Sequence, residues 1–444
     1  MPELEPDQEI QEVDQELPQQ TAAIAGEAQC TSASRSFLSA FKHRNYRLFF
    51  IGQLISLTGT WLQIVAQSWL LLNLVSRAKA ELTLGIVSAI SSLPILIFSF
   101  FAGVVIDRFS KRNIIVVTQI SAMLLAFALA ALTNWHIVTV FQIAIIGFLL
   151  GTVNALDAPA RQSFVIEMVG REDLHNAITL NSAMFNGARI LGPAVAGFAV
   201  AAVGMAGAFF FNGVSFIAVI IGLLLMRVPP AQPKAGTSAW LEFKEGLRFI
   251  RYNRMVKALL IMTGAVSICA MPYAVLMPIL ARYNLHQEAQ GFGYLFSAVG
   301  LGALAGAFTL SAMGDFNWKG KMLLVGNLTF CVMLILFSTA RSMSFALPVL
   351  FVAGWGMMIN MALTNTLIQV SVPDELRGRV ISVYTFMFLG MTPVGSSTAG
   401  LLADKVGVEG AIQLGAILSA AVALLLSPRF FHTKQTALSS DQCR

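Results

Sequence analysis

Long stretches without a charged residue constrain this chain more than any other feature of its sequence. The 29 residues between Arg47 and Arg77 include no Asp, Glu, Lys or Arg, and neither do the 25 residues between Glu81 and Asp107. A helix that crosses the hydrocarbon core of a bilayer needs about 20 predominantly apolar residues. Each of these stretches is therefore long enough to form one transmembrane helix.

The same pattern continues along the chain and predicts twelve transmembrane helices. Two gaps are long enough for a pair of helices each. The gap 113–156 is interrupted by Asn134 and His136, and the gap 174–226, which contains a single charged residue, is interrupted at residues 204–207. The remaining gaps predict one helix apiece. We therefore expect an all-α membrane protein embedded in the lipid bilayer.

The composition excludes other classes of protein. Of the 444 residues, 56% are hydrophobic and only 12% are charged, about half of the ~25% that is usual in soluble domains. This hydrophobic content also excludes a disordered chain, and four cysteines are too few for a disulfide scaffold. The N-terminus is acidic and polar, whereas a signal peptide begins with basic residues. We therefore expect no cleavable signal.

The basic residues indicate the orientation of the helices. If the N-terminus is inside, the inner segments contain 23 Lys and Arg residues and the outer loops contain five. Such an excess marks the cytoplasmic side. We therefore predict a multi-pass protein of the cytoplasmic (inner) membrane with both termini in the cytoplasm. Because the bases are spread over seven inner segments instead of one face, we expect no nucleic-acid partner.

The chain divides into five predicted segments. We expect a disordered acidic cytoplasmic tail (1–34), an N-terminal six-helix bundle (35–227), a cytoplasmic linker (228–256), a C-terminal six-helix bundle (257–428) and a C-terminal tail (429–444). The first 34 residues contain eight of the 23 acidic residues and no Lys or Arg. In the linker, apolar residues at 240, 243, 247 and 250 follow helical spacing beside basic residues. This pattern predicts an amphipathic helix on the inner leaflet, with a helix that docks a partner as the alternative.

Similar segments recur six predicted helices apart. The segment 103–112 follows the second helix and 311–321 follows the eighth, while 171–174 precedes the fifth and 373–376 precedes the eleventh. Two six-helix parallel repeats joined by a long inner loop are typical of rocker-type secondary transporters.

These segments also resemble a known family. Residues 103–112, Gly-Val-Val-Ile-Asp-Arg-Phe-Ser-Lys-Arg, resemble the loop signature G-x-x-x-D-R-x-G-R-R/K of the major facilitator superfamily, with Ser110 and Lys111 in place of Gly and Arg. Residues 46–61 and 186–197 resemble the first and fifth helices of its transmembrane secretion effector branch, which includes macrolide-type drug exporters and the enterobactin exporter. The resemblance implies the major facilitator fold.

The resemblance also implies a gate at the inner surface. Asp107 would contact the positive N-terminus of the eleventh helix, and breaking that contact would open the inner side. The predicted gating residues are Asp107, Arg108, Lys111, Arg112, Arg377 and Arg379. The alternative is that these bases only hold the loop inside.

Polar residues at helical spacing are the candidates for a substrate pathway. In the first helix they recur at steps of three and four residues, which places them on one face. Polar side chains are costly in hydrocarbon, so this face should meet a cavity or other helices. The resemblance implies that helices 1, 4, 7 and 10 line the pathway. The candidates are Gln53, Ser56, Thr60, Gln63, Gln67, Asn154, Met262, Tyr273, Asn360, Thr364 and Asn365. Hydrogen bonding between helices is the alternative role.

Three charged residues and one Gly-Pro segment fall within predicted helices. Asp157 could carry a proton, or form a structural pair with Arg161 or Arg108. Arg189 lies about 18 Å along the fifth helix at 1.5 Å per residue. It could bind an anionic substrate or pair permanently with Asp157 or with carbonyls near Pro193. The segment Gly192, Pro193 and Gly197 allows close packing and is a candidate hinge.

The sequence contains no recognisable enzymatic site. The histidines are scattered, the cysteines lack metal-ligand spacing, and no phosphate-binding loop motif occurs. We therefore expect no cofactor, no metal and no catalytic residue. The resulting hypothesis is a transporter that exports a small amphipathic molecule by alternating access, with protons as the coupling ion. A siderophore exporter for an anionic ligand is one alternative, and a membrane scaffold or receptor that does not transport is another.

Overall fold

A computed structural model describes residues 38–170, 172–227, 247–314 and 316–431. All regular secondary structure in these ranges is helical. Ten of the helices are long and apolar enough to cross a membrane. Two of the ten contain an internal break, so the described residues form twelve long helical segments, a number consistent with the twelve helices that the charge-free gaps predict.

Each break occurs at a glycine with a positive φ angle. Gly204 has φ 74° inside the helix Leu174–Leu225, and Gly407 has φ 78° inside Thr392–Leu426. Glycine adopts this left-handed backbone without the steric penalty that a Cβ atom brings. The first break confirms the interruption predicted at 204–207. The second leaves a single non-helical residue between the last two helices.

We number the helices in chain order. They are α1 (Arg44–Leu74), α2 (Arg77–Arg108), α3 (Lys111–Asn134), α4 (Val140–Val169), α5 (174–203), α6 (205–225), α7 (Arg254–Asn284), α8 (Ala289–Met313), α9 (Lys319–Ser338), α10 (Met343–Ser371), α11 (374–406) and α12 (408–426).

Contacts between helix ends define two faces of the molecule. His43 Nε2 lies 2.8 Å from Asp173 Oδ2, which joins the starts of α1 and α5. Arg44 donates to the carbonyl of Leu225 at the end of α6 at 2.9 Å. The starts of α1 and α5 and the end of α6 therefore lie on one side, which we call the terminal face. The other side is the opposite face.

The two bundles share one hydrophobic core toward the opposite face but have separate cores toward the terminal face. The shared core contains Val65 from the N-terminal bundle and Phe292 from the C-terminal bundle. Near the terminal face, Phe164 belongs to a core formed by the N-terminal bundle, and Leu259 belongs to one formed by the C-terminal bundle. Among the described residues, the buried apolar clusters therefore join the bundles toward the opposite face and not toward the terminal face.

Direct contacts between the bundles have the same distribution. Ser88 of α2 donates to Ser396 of α11 at 3.1 Å. Arg282 at the end of α7 donates to Asn73 at the end of α1 at 2.7 Å. A Cβ atom at Gly85 would lie only 2.6 Å from the Cα of the glycine at position 400, so α2 and α11 touch through glycines. This conformation is closed at the opposite face.

Three predicted segments lie wholly or mostly outside the described residues. These are the whole acidic tail, most of the linker and most of the C-terminal tail. The linker residues 247–252 are helical, and the amphipathic helix on the inner leaflet stays a prediction. Ile250 is buried and packs with the C-terminal bundle, whereas Leu247 is exposed.

Candidate substrate pathway and gate

The polar face of α1 is largely buried and has more than one role. Gln63 accepts a hydrogen bond from Asn212 Nδ2 of α6 at 2.5 Å. Gln53 and Ser56 are also buried, and Gln53 Oε1 has no hydrogen-bond partner. Thr60 is half-buried and donates to the carbonyl of residue 56 in its own helix. The contact at Gln63 favours helix packing over a cavity at that position.

The polar residues of α10 include two buried groups without partners. Asn360 Nδ2 and Thr364 Oγ1 are buried and make no hydrogen bond. Asn365 is half-buried and accepts from Gln369 Nε2 at 2.6 Å within the helix. Because buried polar groups are nearly always paired, unpaired groups on a central helix mark places where water or a ligand could bind.

Helix α7 is irregular where it passes through the centre of the bundle. Two π-helical stretches, Val266–Ala270 and Leu280–Asn284, interrupt its α-helical hydrogen bonding. Such π-bulges are frequent at functional sites. The predicted pathway residues Met262 and Tyr273 are buried, and Tyr273 packs edge-on against Phe330 of α9.

A buried polar centre in the N-terminal bundle surrounds Asp157. Its Oδ1 accepts from Thr118 Oγ1 at 2.6 Å and from Gln119 Nε2 at 3.1 Å, both on α3. Its Oδ2 is paired with Arg161 Nε one turn further along α4. Asp157 thus forms the pair with Arg161 that the sequence left open, and it does not pair with Arg189. The sequence analysis did not anticipate the two donors from α3.

Asn154, the pathway candidate on α4, lies apart from this centre. Asn154 shares a predicted face with Asp157 and Arg161, but its side chain is exposed whereas theirs are about nine-tenths buried. Gln67 of α1 is half-buried. The roles of both residues in a pathway stay predictions.

Arg189 lies where α5 meets the C-terminal bundle. Its side chain is half-buried, and its Nε is buried without a hydrogen-bond partner. It lies near Tyr273 of α7. A Cβ atom added to Gly300 of α8 would lie 3.0 Å from the backbone carbonyl oxygen of Arg189. The guanidinium is therefore close to the boundary between the bundles, where a substrate would contact both.

The bases of the predicted gate have identifiable partners within their own bundle. Lys111 Nζ lies 2.5 Å from Glu167 Oε1 at the end of α4. Arg112 donates to the carbonyls of Leu223 and Leu224 at the end of α6. These contacts fasten the start of α3 to its neighbours, and the sequence spacing does not reveal them.

The remaining gate residues border the terminal face. Asp107 is in the last turn of α2, and its side chain lies outside the described part of the structure. Arg108 is exposed. Arg377 donates to the carbonyl of Gln369 at 3.3 Å, and Arg379 is half-buried. Contact between Asp107 and α11 stays a prediction.

The predicted hinge segment packs closely against two other helices. A Cβ atom at Gly192 would collide with Trp61 of α1, and one at Gly197 would lie 2.9 Å from Gln290 Cα of α8. The helix continues through Pro193 and breaks first at residue 204. The segment therefore brings α5 close to its neighbours, and a hinge role stays a prediction.

The arrangement of these helices is that of the major facilitator fold. A bacterial homologue of the human lysosomal transporter Spinster, solved in an inward-facing and unoccupied conformation, superposes with a TM-score of 0.69 at 13% identity over 90% of this chain and 98% of that chain. The likeness establishes the fold.

The sequence comparisons establish the family. A family model described as transmembrane secretion effector matches residues 35–442. The chain belongs to this family. It is 25% identical to the multidrug efflux pump Tap of Mycolicibacterium fortuitum, over 83% of this chain and 92% of that protein. It is 21% identical to the enterobactin exporter EntS of Escherichia coli K12, over 89% of this chain and 94% of that protein.

Proposed function

We propose that this protein exports small amphipathic molecules across a cytoplasmic membrane by alternating access. The observation that carries the proposal is the distribution of the cores. The bundles share one core toward the opposite face and have separate cores toward the terminal face. A rocking motion needs this kind of contact on one side at a time. The excess of Lys and Arg at the terminal face supports a cytoplasmic position for that face and for both termini.

Export of amphipathic molecules is supported by two further observations. The chain is similar to proteins named as a multidrug efflux pump and as an enterobactin exporter. Four polar groups without hydrogen-bond partners occur among apolar side chains. They belong to Gln53 on α1, Arg189 on α5, and Asn360 and Thr364 on α10. A ligand with both polar and apolar surface would satisfy these groups and cover the apolar walls.

An anionic ligand such as a siderophore is the second candidate. Arg189 Nε is buried without a partner at the boundary between the bundles. A buried guanidinium N–H group is costly in a membrane protein unless an acceptor approaches it. A carboxylate or catecholate ligand would supply that acceptor.

Protons are the proposed coupling ion. Asp157 is a buried carboxylate within a membrane helix. In this conformation three side chains donate to it. For Asp157 to carry a proton, the pair with Arg161 must open during the transport cycle. A transport step that depends on the proton gradient would require this exchange of partners.

Accumulation measurements in whole cells test export and coupling. Cells that express the protein should retain less of a fluorescent dye, a macrolide or a catecholate than cells with an empty vector. An uncoupler should abolish the difference. If accumulation equals that of the vector control for every compound while the protein is present in the membrane, the chain does not export them, and a scaffold or receptor role is favoured.

Variants of Arg189 test the nature of the ligand. Arg189→Lys keeps the charge but removes the planar group that binds carboxylates with two hydrogen bonds. We expect export of an anionic compound to fall in Arg189→Lys and to fall further in Arg189→Gln, while export of a neutral compound falls less. An equal loss for both compounds would contradict an anion-binding role.

A further inference from the structure

A groove of about 610 Å³ opens at the terminal face of the C-terminal bundle. It lies between the short linker helix 247–252 and the first turns of α11. Its lining residues are Arg248, Phe249, Tyr252, Asn253, Leu376 and Arg379. Of the groove-lining residues, Arg379 is also a predicted gating residue, and none is a candidate for the substrate pathway.

The groove is held in place by packing and by a helix cap. Ile250, on the linker helix, is buried in the same core as Leu259 of α7. Asn253 accepts hydrogen bonds from the backbone N–H groups of Met255 and Val256 at 3.1 and 3.0 Å, which caps the start of α7. The linker helix therefore packs against the bundle through Ile250 and leads directly into the capped start of α7.

The groove combines positive charge with apolar surface. Arg248 and Arg379 supply two guanidinium groups, and Phe249 and Leu376 pack against the hydrophobic core. The linker helix and the start of α7 (247–257) together with the start of α11 (374–379) contain six basic and two acidic residues. This surplus of positive charge would attract an anion.

The groove lies at the depth of lipid head groups. Membrane helix α7 begins at Arg254, one residue after the groove-lining Asn253, and α11 begins at Asp374. Tyr252 is 77% exposed, and tyrosines at this level are typical of the membrane interface. Basic residues beside a membrane helix attract the anionic lipids of the cytoplasmic leaflet.

We propose that this groove binds the phosphate of an anionic phospholipid between Arg248 and Arg379. The phosphate accepts hydrogen bonds from both guanidinium groups, and the start of the acyl chains covers Phe249 and Leu376. The lipid thereby connects the linker to α11, the helix that the predicted gate would contact.

Native mass spectrometry of the full-length protein tests this site. The protein is released from nanodiscs of phosphatidylcholine that contain increasing fractions of phosphatidylglycerol, and bound lipids are counted. We expect the wild type to retain one phosphatidylglycerol at lower fractions than Arg248→Gln and Arg379→Gln. Each variant should need about fivefold more of the lipid, which corresponds to roughly 1 kcal/mol for one basic residue at the surface.

A matched control and two competitors test whether the lipid binds in this groove. Arg251→Gln removes an exposed charge from the same linker helix but outside the groove, and it should retain the lipid like the wild type. Equal retention by wild type and Arg248→Gln, or an equal loss in Arg251→Gln, overturns the proposal. Displacement by inorganic phosphate alone would reassign the groove to a free anion. Displacement by a peptide of residues 1–34 would reassign it to the acidic tail.

Discussion

The buried centre around Asp157 allows a quantitative prediction, because Asp157 has more hydrogen-bond partners than Arg161. Asp157 accepts from Thr118 and Gln119 in addition to Arg161. Arg161, in contrast, has a buried Nη1 without a hydrogen-bond partner. If Arg161 is removed, the carboxylate keeps two donors. If the charge of Asp157 is removed, the guanidinium stays buried without a counter-ion.

The two single variants should therefore differ in stability. Asp157→Asn should lower the free energy of unfolding by about 3–5 kcal/mol, the usual cost of leaving one member of a buried pair uncompensated. Arg161→Gln should lower it by about 1.5–3 kcal/mol, the contribution of a hydrogen bond to a charged group. The double variant Asp157→Asn with Arg161→Gln should be more stable than Asp157→Asn alone, because no buried charge is left.

Reversible unfolding in mixed micelles of mild detergent and dodecyl sulfate measures these differences. Thr118→Val serves as a control that removes one neutral donor and leaves the charge pair intact. The prediction is wrong if Arg161→Gln is as destabilising as Asp157→Asn. It is also wrong if the double variant loses as much free energy of unfolding as the two single variants together. Export that stays sensitive to an uncoupler in the double variant would also exclude Asp157 as the proton carrier.

Three further predictions concern the gate and the contacts between helices. Asp107→Asn should insert normally but impair export. Losing a charge at a helix N-terminus removes about 0.3–1 kcal/mol, which changes the equilibrium between the open and closed gate roughly two- to fivefold. Wild-type export rates would refute a gating role. Gln63→Ala should lower the free energy of unfolding by about 1–3 kcal/mol, because Asn212 loses its acceptor; if unfolding is unchanged and Gln63→Cys reacts with a hydrophilic thiol reagent, the residue lines a cavity instead. Gly300→Leu should favour the form open at the opposite face, because a Cβ atom there would lie 2.8 Å from Ile190 Cα; spin labels at the opposite-face ends of α1 and α7 should move apart, and an unchanged distance would contradict this role of the α5–α8 contact.

The membrane helices and the division of the fold follow from the order of residues along the chain. Hydrocarbon excludes charged groups and unpaired backbone groups, so each charge-free gap of sufficient length must form a helix. The break at residue 204 is also local, because a glycine can adopt a positive φ angle where other residues are strained. The repeated loop segments and the family resemblance similarly depend on residues that are close in the chain.

Which polar residues meet depends on the tertiary structure. Helical spacing places Gln63 on the same face as Gln53 and Ser56, but it cannot show that the side chain bonds to Asn212 on α6, 149 positions away. The two α3 donors to Asp157 are likewise 38 and 39 positions from it in sequence. The side on which the bundles share a core also depends on how whole helices pack. Local periodicity specifies the face of one helix, whereas the partner of that face is set by the packing of all the others.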